Sequence, residues 1–212
     1  MNTTKTTFAS GALTLEGVLR LPASDGPWPA VVVCHPHPMY GGDMYNAVVE
    51  SIAGGVARRG IAALTFNFRG AGSSQGAFDR GVGEVADALA AVEFLAAQPG
   101  VDRSRLGIAG YSFGAGIALD AAEDNHDLRA IVSVACPPAP LNDMVLHQIN
   151  RPKLFIQGDA DTIIEIPMFR FLTQRFTPPR EVEVLAGAEH SLRGYESEVS
   201  KLAADFFARC LQ

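Results

Sequence analysis

The sequence predicts a single α/β domain over residues 1–212: a mostly parallel sheet of about seven to eight strands, an antiparallel N-terminal edge, and helices on both faces. Three observations predict it. From residue 30 onward, short apolar runs alternate with longer segments of helical periodicity. The run Ala-Val-Val-Val-Cys at 30–34 is apolar without interruption, as expected of a strand covered on both faces. Before it, residues 6–8 and 12–21 alternate apolar with polar around a Ser10-Gly11 turn, the pattern of an antiparallel hairpin.

The elements follow in order. After the hairpin comes a Pro/Gly loop at 22–29, then the strand at 30–34. This strand empties into His35-Pro36-His37-Pro38-Met39-Tyr40-Gly41-Gly42, whose prolines and glycines forbid a helix. Residues 46–59 carry apolar side chains at helical spacing and stop at Gly60. A strand at 61–68 leads into the glycine-rich loop 69–76, and 82–98 is the longest amphipathic helix, ended by Pro99-Gly100. An apolar run from Leu106 then reaches Gly110-Tyr111-Ser112-Phe113-Gly114, with a helix-forming segment at 115–122 directly behind it. After a strand at 130–135, Pro137-Pro138-Ala139-Pro140 breaks the chain. Residues 136–151 have room for little more than one helix, expected at 141–149, so no large cap is predicted. A strand at 153–157, a helix at 166–176, a strand at 181–185 and a closing helix at 196–211 complete the pattern.

Composition narrows the classes of function. Hydrophobic residues make up 48% and charged residues 19%, a globular balance. The net charge of −6 and the lack of a Lys/Arg cluster argue against nucleic acid and against anionic membranes as partners. Residues 1–10 are Thr-rich without an apolar run, so no signal peptide is expected, and no stretch approaches the length of a membrane span. Cys34, Cys136 and Cys210 are few, odd in number and set in apolar surroundings, like buried thiols of a reducing compartment. A cytoplasmic location is the expectation; the oligomeric state is not legible.

In such sheets the chemistry gathers at the carboxyl ends of the strands. A strand, a sharp turn and a helix with Ser112 at the apex present a hydroxyl beside the free N–H groups of a helix N-terminus. Gly110 and Gly114 leave room for the close passage of strand and helix. A serine needs a base to take its proton, and the base needs an acid to orient it. Of the five histidines, His190 follows the last strand across a short loop and shares the carboxyl edge with Ser112. His126 sits in a polar segment as a surface cap, and His147 in the connection after Pro140. Asp161, three residues past Gly158, is the preferred acid; the alternative, Asp159, is better suited to tying down its own turn.

The order Ser112, Asp161, His190 on an alternating chain is that of α/β-hydrolases. From about residue 15 to the C-terminus the sequence resembles a small, capless α/β-hydrolase. His35-Pro36-His37-Pro38 with Gly41-Gly42, then Asn67-Phe68-Arg69-Gly70-Ala71-Gly72-Ser73-Ser74, then Gly83-Glu84 and Asp87, are similar to a bacterial subgroup of predicted hydrolases of that superfamily. The resemblance implies serine carboxylesterase chemistry through an acyl-enzyme, with no cofactor, no metal and a small-molecule ester as partner. It also implies an oxyanion hole, with one donor from the Phe113 N–H and another from the loop after Cys34. Pro36 and Pro38 carry no N–H. Similarity to related loops favours His37, with Met39 and Tyr40 as fallbacks.

Without a cap the site should be open and shallow, rimmed by Met39, Tyr40, Pro138, Met144 and Leu192. Such a site suits short-chain or aryl esters, and a thioesterase or lysophospholipase would share its residues. Two other readings compete. His35 and His37 could bind a metal with help from Asp43, Asp161 and His190, though the serine turn and the chain order would then be coincidences. Alternatively, the fold could be a catalytically silent binding module. The loop at 69–76 lacks the Gly-Lys-Ser/Thr ending of a phosphate loop, and Gly70-Ala71-Gly72 lacks the third dinucleotide glycine, so it reads as a tight turn.

Overall fold

A computed structural model of the chain describes residues 2–211. Its strands are β1 (Asn2–Ser10), β2 (Leu13–Leu21), β3 (Trp28–Cys34), β4 (Ala62–Phe66), β5 (Val101–Tyr111), β6 (Leu128–Val134), β7 (Lys153–Gly158) and β8 (Arg180–Leu185). They form one sheet in the order β1-β2-β4-β3-β5-β6-β7-β8. The pairs β1–β2 and β2–β4 are antiparallel and all others parallel. The expected N-terminal hairpin is present but longer than its apolar pattern. Asn2–Lys5 are polar and exposed, yet they continue the ladder to Leu21, because backbone pairing at a sheet edge needs no apolar side chain.

The central strands are buried on both faces. Along β3, Ala30, Val32 and Cys34 pack into one apolar cluster and Val31 and Val33 into another, as the two-residue period of a strand dictates. The first face is covered by α2 (Val82–Ala96) and α3 (Phe113–Asp124), the second by α1 (Ala47–Arg58) and α6 (Glu196–Cys210). Helix α1 starts where the Asn46 side chain accepts from the Val48 N–H at 3.0 Å. It lies close to α6 at Gly55, where a Cβ would come within 2.9 Å of the Ser200 carbonyl oxygen.

The connection after β6 departs from expectation. In place of a helix at 141–149 the chain forms the four-residue α4 (Pro138–Leu141) and a 3₁₀ turn, Leu146–Gln148. The prolines do not only break the chain; they open α4, because the first-turn N–H groups of a helix have no intrahelical partner to lose. Beyond β7 lies α5 (Ile166–Thr173), shorter than the expected 166–176. Neither segment forms a cap over the sheet, in line with the small connection that the sequence allows. All three cysteines are free; Cys34 and Cys136 are buried and Cys210 is partly exposed. Among the described residues no helix is long and apolar enough to cross a membrane.

Candidate active site

Ser112 stands between β5 and α3 with φ 55° and ψ −119°, a strained conformation for a residue other than glycine. Three contacts hold it there. The Ser112 N–H donates to the Val134 carbonyl at 2.9 Å, which ties the turn to the end of β6. A Cβ at Gly110 would collide with the Gly114 carbonyl, and one at Gly114 would come within 2.5 Å of the Cys34 and His35 carbonyl oxygens. Strand, helix and neighbouring loop therefore meet without a side chain between them.

The three residues singled out for proton transfer lie together. Ser112 Oγ is 2.9 Å from His190 Nε2, and His190 Nδ1 is 2.7 Å from Asp161 Oδ2. With Nδ1–H donating to the carboxylate, Nε2 is free to accept the serine proton. The Asp161 carboxylate is buried, and burial alone would raise its pKa. Hydrogen bonds from His190, from the Ile163 N–H at 2.7 Å and from Gln157 Nε2 at 2.6 Å outweigh this and hold it below the usual carboxylate range. Asp159 ties down not its own turn, as expected, but the loop that carries His190: its Oδ1 accepts the Gly187 N–H at 2.6 Å. Two supporting residues were not foreseen. Gln157 sits one strand period before Asp159 in an apolar run, and Tyr111 donates its hydroxyl to the His190 carbonyl at 2.9 Å. Burial pushes the Tyr111 phenol up to about 12, with the Asp161 charge adding to it, so it stays a donor.

Within residues 37–42 of the loop after β3, one amide is left open. The N–H groups of Met39, Tyr40, Gly41 and Gly42 are all engaged within residues 37–42, which removes Met39 and Tyr40 as fallback donors. The His37 N–H has no partner among the described residues, and the Phe113 N–H, first in α3, has none within its helix. The His37 ring packs against Phe113 and Phe78, and its Nδ1 accepts the Met39 N–H.

The residues of the metal reading do not assemble. His35 is fully buried; its Nδ1 donates to the Pro36 carbonyl at 2.6 Å and its Nε2 accepts the Phe68 N–H at 3.0 Å. Both ring nitrogens are spent, so no lone pair remains for a metal. Burial lowers the His35 pKa to about 4, and the ring is neutral. His35 thus joins the loop after β3 to the loop after β4. The rest of that second loop is equally structural. Buried Asp87 accepts from the Arg69 backbone, from the Arg69 guanidinium and from Ser10 Oγ, while buried Glu84 caps the Asp79 and Gly81 amides. Its glycines serve turns, as the sequence predicts.

An open cleft of about 420 Å³ lies over Ser112. Its walls include His37, Tyr40, Pro137, Ile163 and His190. Of the expected rim, Tyr40 lines this cleft and Pro138 lines the depression beside it. Met39 and Met144 are exposed but border neither. Leu192 does not belong to the rim: it is fully buried at φ 51°, turned into the apolar cluster that anchors the His190 loop. Ile163, Pro137 and Asn46 are among the walls that sequence reasoning missed. Ile163 follows directly from the Asp161 turn, two residues on.

Comparison with known proteins agrees with this architecture. The model for "X-Pro dipeptidyl-peptidase (S15 family)" matches residues 11–172, more than half of the chain. The chain belongs to that family. The match to the S15 family contains Ser112 and Asp161, while His190 lies beyond it. Among curated proteins, the uncharacterized protein RP471 of Rickettsia prowazekii is 33% identical over 186 residues, covering 84% of this chain and 78% of that one. Among solved structures, an α/β serine hydrolase homologue from Coxiella burnetii superposes with a TM-score of 0.86 at 31% identity, covering 97% of each chain. XC6422 from Xanthomonas campestris, described as an α/β serine hydrolase without a lid, gives 0.86 at 28% identity over 100% of this chain and 96% of its own. The protein is thus an S15-family hydrolase with the α/β-hydrolase fold and no lid.

Proposed function

We propose that the protein is a serine carboxylester hydrolase that works through an acyl-enzyme. The observation that carries this reading is the hydrogen-bonded chain Ser112–His190–Asp161 at the floor of an open cleft, flanked by two uncommitted amides. As Ser112 Oγ adds to the ester carbonyl carbon, its proton passes to His190 Nε2. The Phe113 and His37 N–H groups receive the charge that develops on the carbonyl oxygen. Asp161 keeps the His190 ring oriented and stabilises its cationic form. His190 then gives its proton to the leaving alkoxide, the alcohol departs, and Ser112 carries the acyl group. A water molecule, deprotonated by His190, repeats the addition; collapse releases the carboxylic acid and returns the proton to Ser112.

The esterase EstD of Thermotoga maritima supports the choice of substrate class, being 28% identical over 184 residues, 83% of this chain but 43% of its own. The family description raises a peptidase reading, and the lining of the cleft speaks against it. An enzyme that releases aminoacyl-proline must hold a free α-ammonium, for which an unengaged carboxylate is the natural partner. Among the described residues no Asp or Glu lines the cleft over Ser112, Asp161 is committed to His190, Gln157 and Ile163, and Glu165 stands in the adjoining groove instead.

A fluorophosphonate probe and two chromogenic substrates test the reading together. The expected result is labelling and p-nitrophenyl acetate turnover by the wild type, neither by Ser112→Ala, and no cleavage of an X-Pro p-nitroanilide. Ester turnover that survives Ser112→Ala but disappears with a chelator would sink it. Absence of both labelling and turnover would favour a silent binding scaffold.

A further inference from the structure

We propose that an apolar groove between α4 and α5 binds the acyl chain of the ester, so that the preferred substrates carry acyl groups of medium length rather than acetyl. The inference rests on the serine-esterase reading and adds a substrate class to it. The groove measures about 750 Å³, and Pro138, Ala139, Ile163, Met168, Phe171 and Leu172 form its apolar walls. It joins the cleft over Ser112 at two points. Ile163 lines both, and Pro137 of the cleft is followed directly by Pro138 of the groove. Ile163, Met168 and Phe171 are each about half exposed, a large apolar surface with no covering element.

The three directions around the reacting carbon assign the groove to the acyl group. Once Ser112 Oγ has added, the carbon bears an oxyanion, a leaving oxygen and the acyl chain. The oxyanion faces the Phe113 and His37 amides on the β3 side of Ser112. The leaving oxygen must face His190, whose loop packs through Ala188 and Leu192 into the cluster beneath α1 and α6. The remaining direction lies on the opposite face of the sheet. There Leu141 of α4 and Phe169 and Leu172 of α5 join the cluster beneath α2 and α3. That direction leads past Pro137 and Ile163 into the groove.

Two polar residues also line the groove: Asn142, whose Oδ1 accepts from Arg175 Nη1 at 3.0 Å, and Glu165, which is exposed.

The test is a pair of ester series on the purified protein: p-nitrophenyl acetate to decanoate, and acetates of methanol to octanol. The expected kcat/KM rises about twofold per half-buried methylene along the acyl series and stays flat along the alcohol series. Met168→Glu and Phe171→Glu, both at exposed positions, lower the octanoate-to-acetate ratio about tenfold. Val145→Glu, also at an exposed position but outside the groove, leaves that ratio at the wild-type value. A flat acyl profile, a steep alcohol profile, or a ratio unmoved by both groove variants would overturn the proposal. Those outcomes leave a working short-chain esterase; acetate turnover that persists in Ser112→Ala would instead overturn the serine-esterase reading, and the groove assignment with it.

Discussion

The Tyr111 hydroxyl donates to the His190 carbonyl oxygen at 2.9 Å, so the residue that precedes Ser112 also holds the backbone of the histidine hydrogen-bonded to it. The two residues are 79 positions apart in sequence. Strand β5 therefore supplies both the serine and a strut for the loop that brings His190 to it. Tyr111→Phe removes the hydrogen bond and keeps the ring. The expected loss in kcat is roughly two- to tenfold, equivalent to ~0.5–1.5 kcal/mol, with circular dichroism unchanged. Stopped-flow acylation against the wild type measures it; equal rates would mean that the loop is rigid without the strut.

The two aspartates of the β7 loop separate cleanly. Asp161→Asn keeps the shape but no longer enforces Nδ1–H on His190, and turnover should fall on the order of 10⁴-fold. Asp159 bonds only a backbone amide, which an asparagine oxygen can still accept. Asp159→Asn should stay within about threefold of the wild type in steady-state ester kinetics. The reverse ranking would reassign the acid.

The proposed oxyanion amide can be removed at a single position. His37 has φ −57°, which proline matches, and its N–H has no partner among the described residues. His37→Pro deletes the donor, and His37→Ala deletes only the ring. Since the ring's packing on Phe113 and Phe78 is lost in both, their difference isolates the N–H. The proline variant should be slower than the alanine variant by roughly 10²–10³ in kcat. Equal rates in the two variants would show that the loop after β3 does not supply the donor.

Much of this was legible because strand ends and chain order are local properties. The apolar runs placed the strands, and the short loop after β8 placed His190 at the same edge as Ser112. What stayed hidden depends on which side chains the register brings together. Gln157 reads as one polar residue in a buried run, and only its distance to Asp161 gives it a task. Leu192 reads as a rim residue because loop side chains are usually exposed; a positive φ turns it into the core instead. The prolines of α4 read as breakers, although at a first helical turn they cost no hydrogen bond. The paired histidines after β3 suggested a metal until both nitrogens of His35 proved to be occupied.

His35 also couples the loops of the site to pH through stability. Burial lowers its folded-state pKa to about 4 against 6.5 for an ordinary histidine. Between those values the unfolded chain binds a proton that the folded protein refuses, so stability is fully present above pH 6.5 and falls as pH drops toward 4. At about 1.36 kcal/mol per unit, His35 accounts for roughly 2–3 kcal/mol of that loss by pH 4.5. His35→Gln cannot titrate, though it will lower stability at pH 7 by disturbing the bonds to Pro36 and Phe68. The informative quantity is therefore the slope. Urea unfolding at pH 7.0 and 4.5 should show a smaller pH dependence in the variant, by about 2 kcal/mol. Parallel profiles would mean that the folded protein accepts the proton at Nε2, and that the bond from the Phe68 N–H, which joins the two loops, is easily broken.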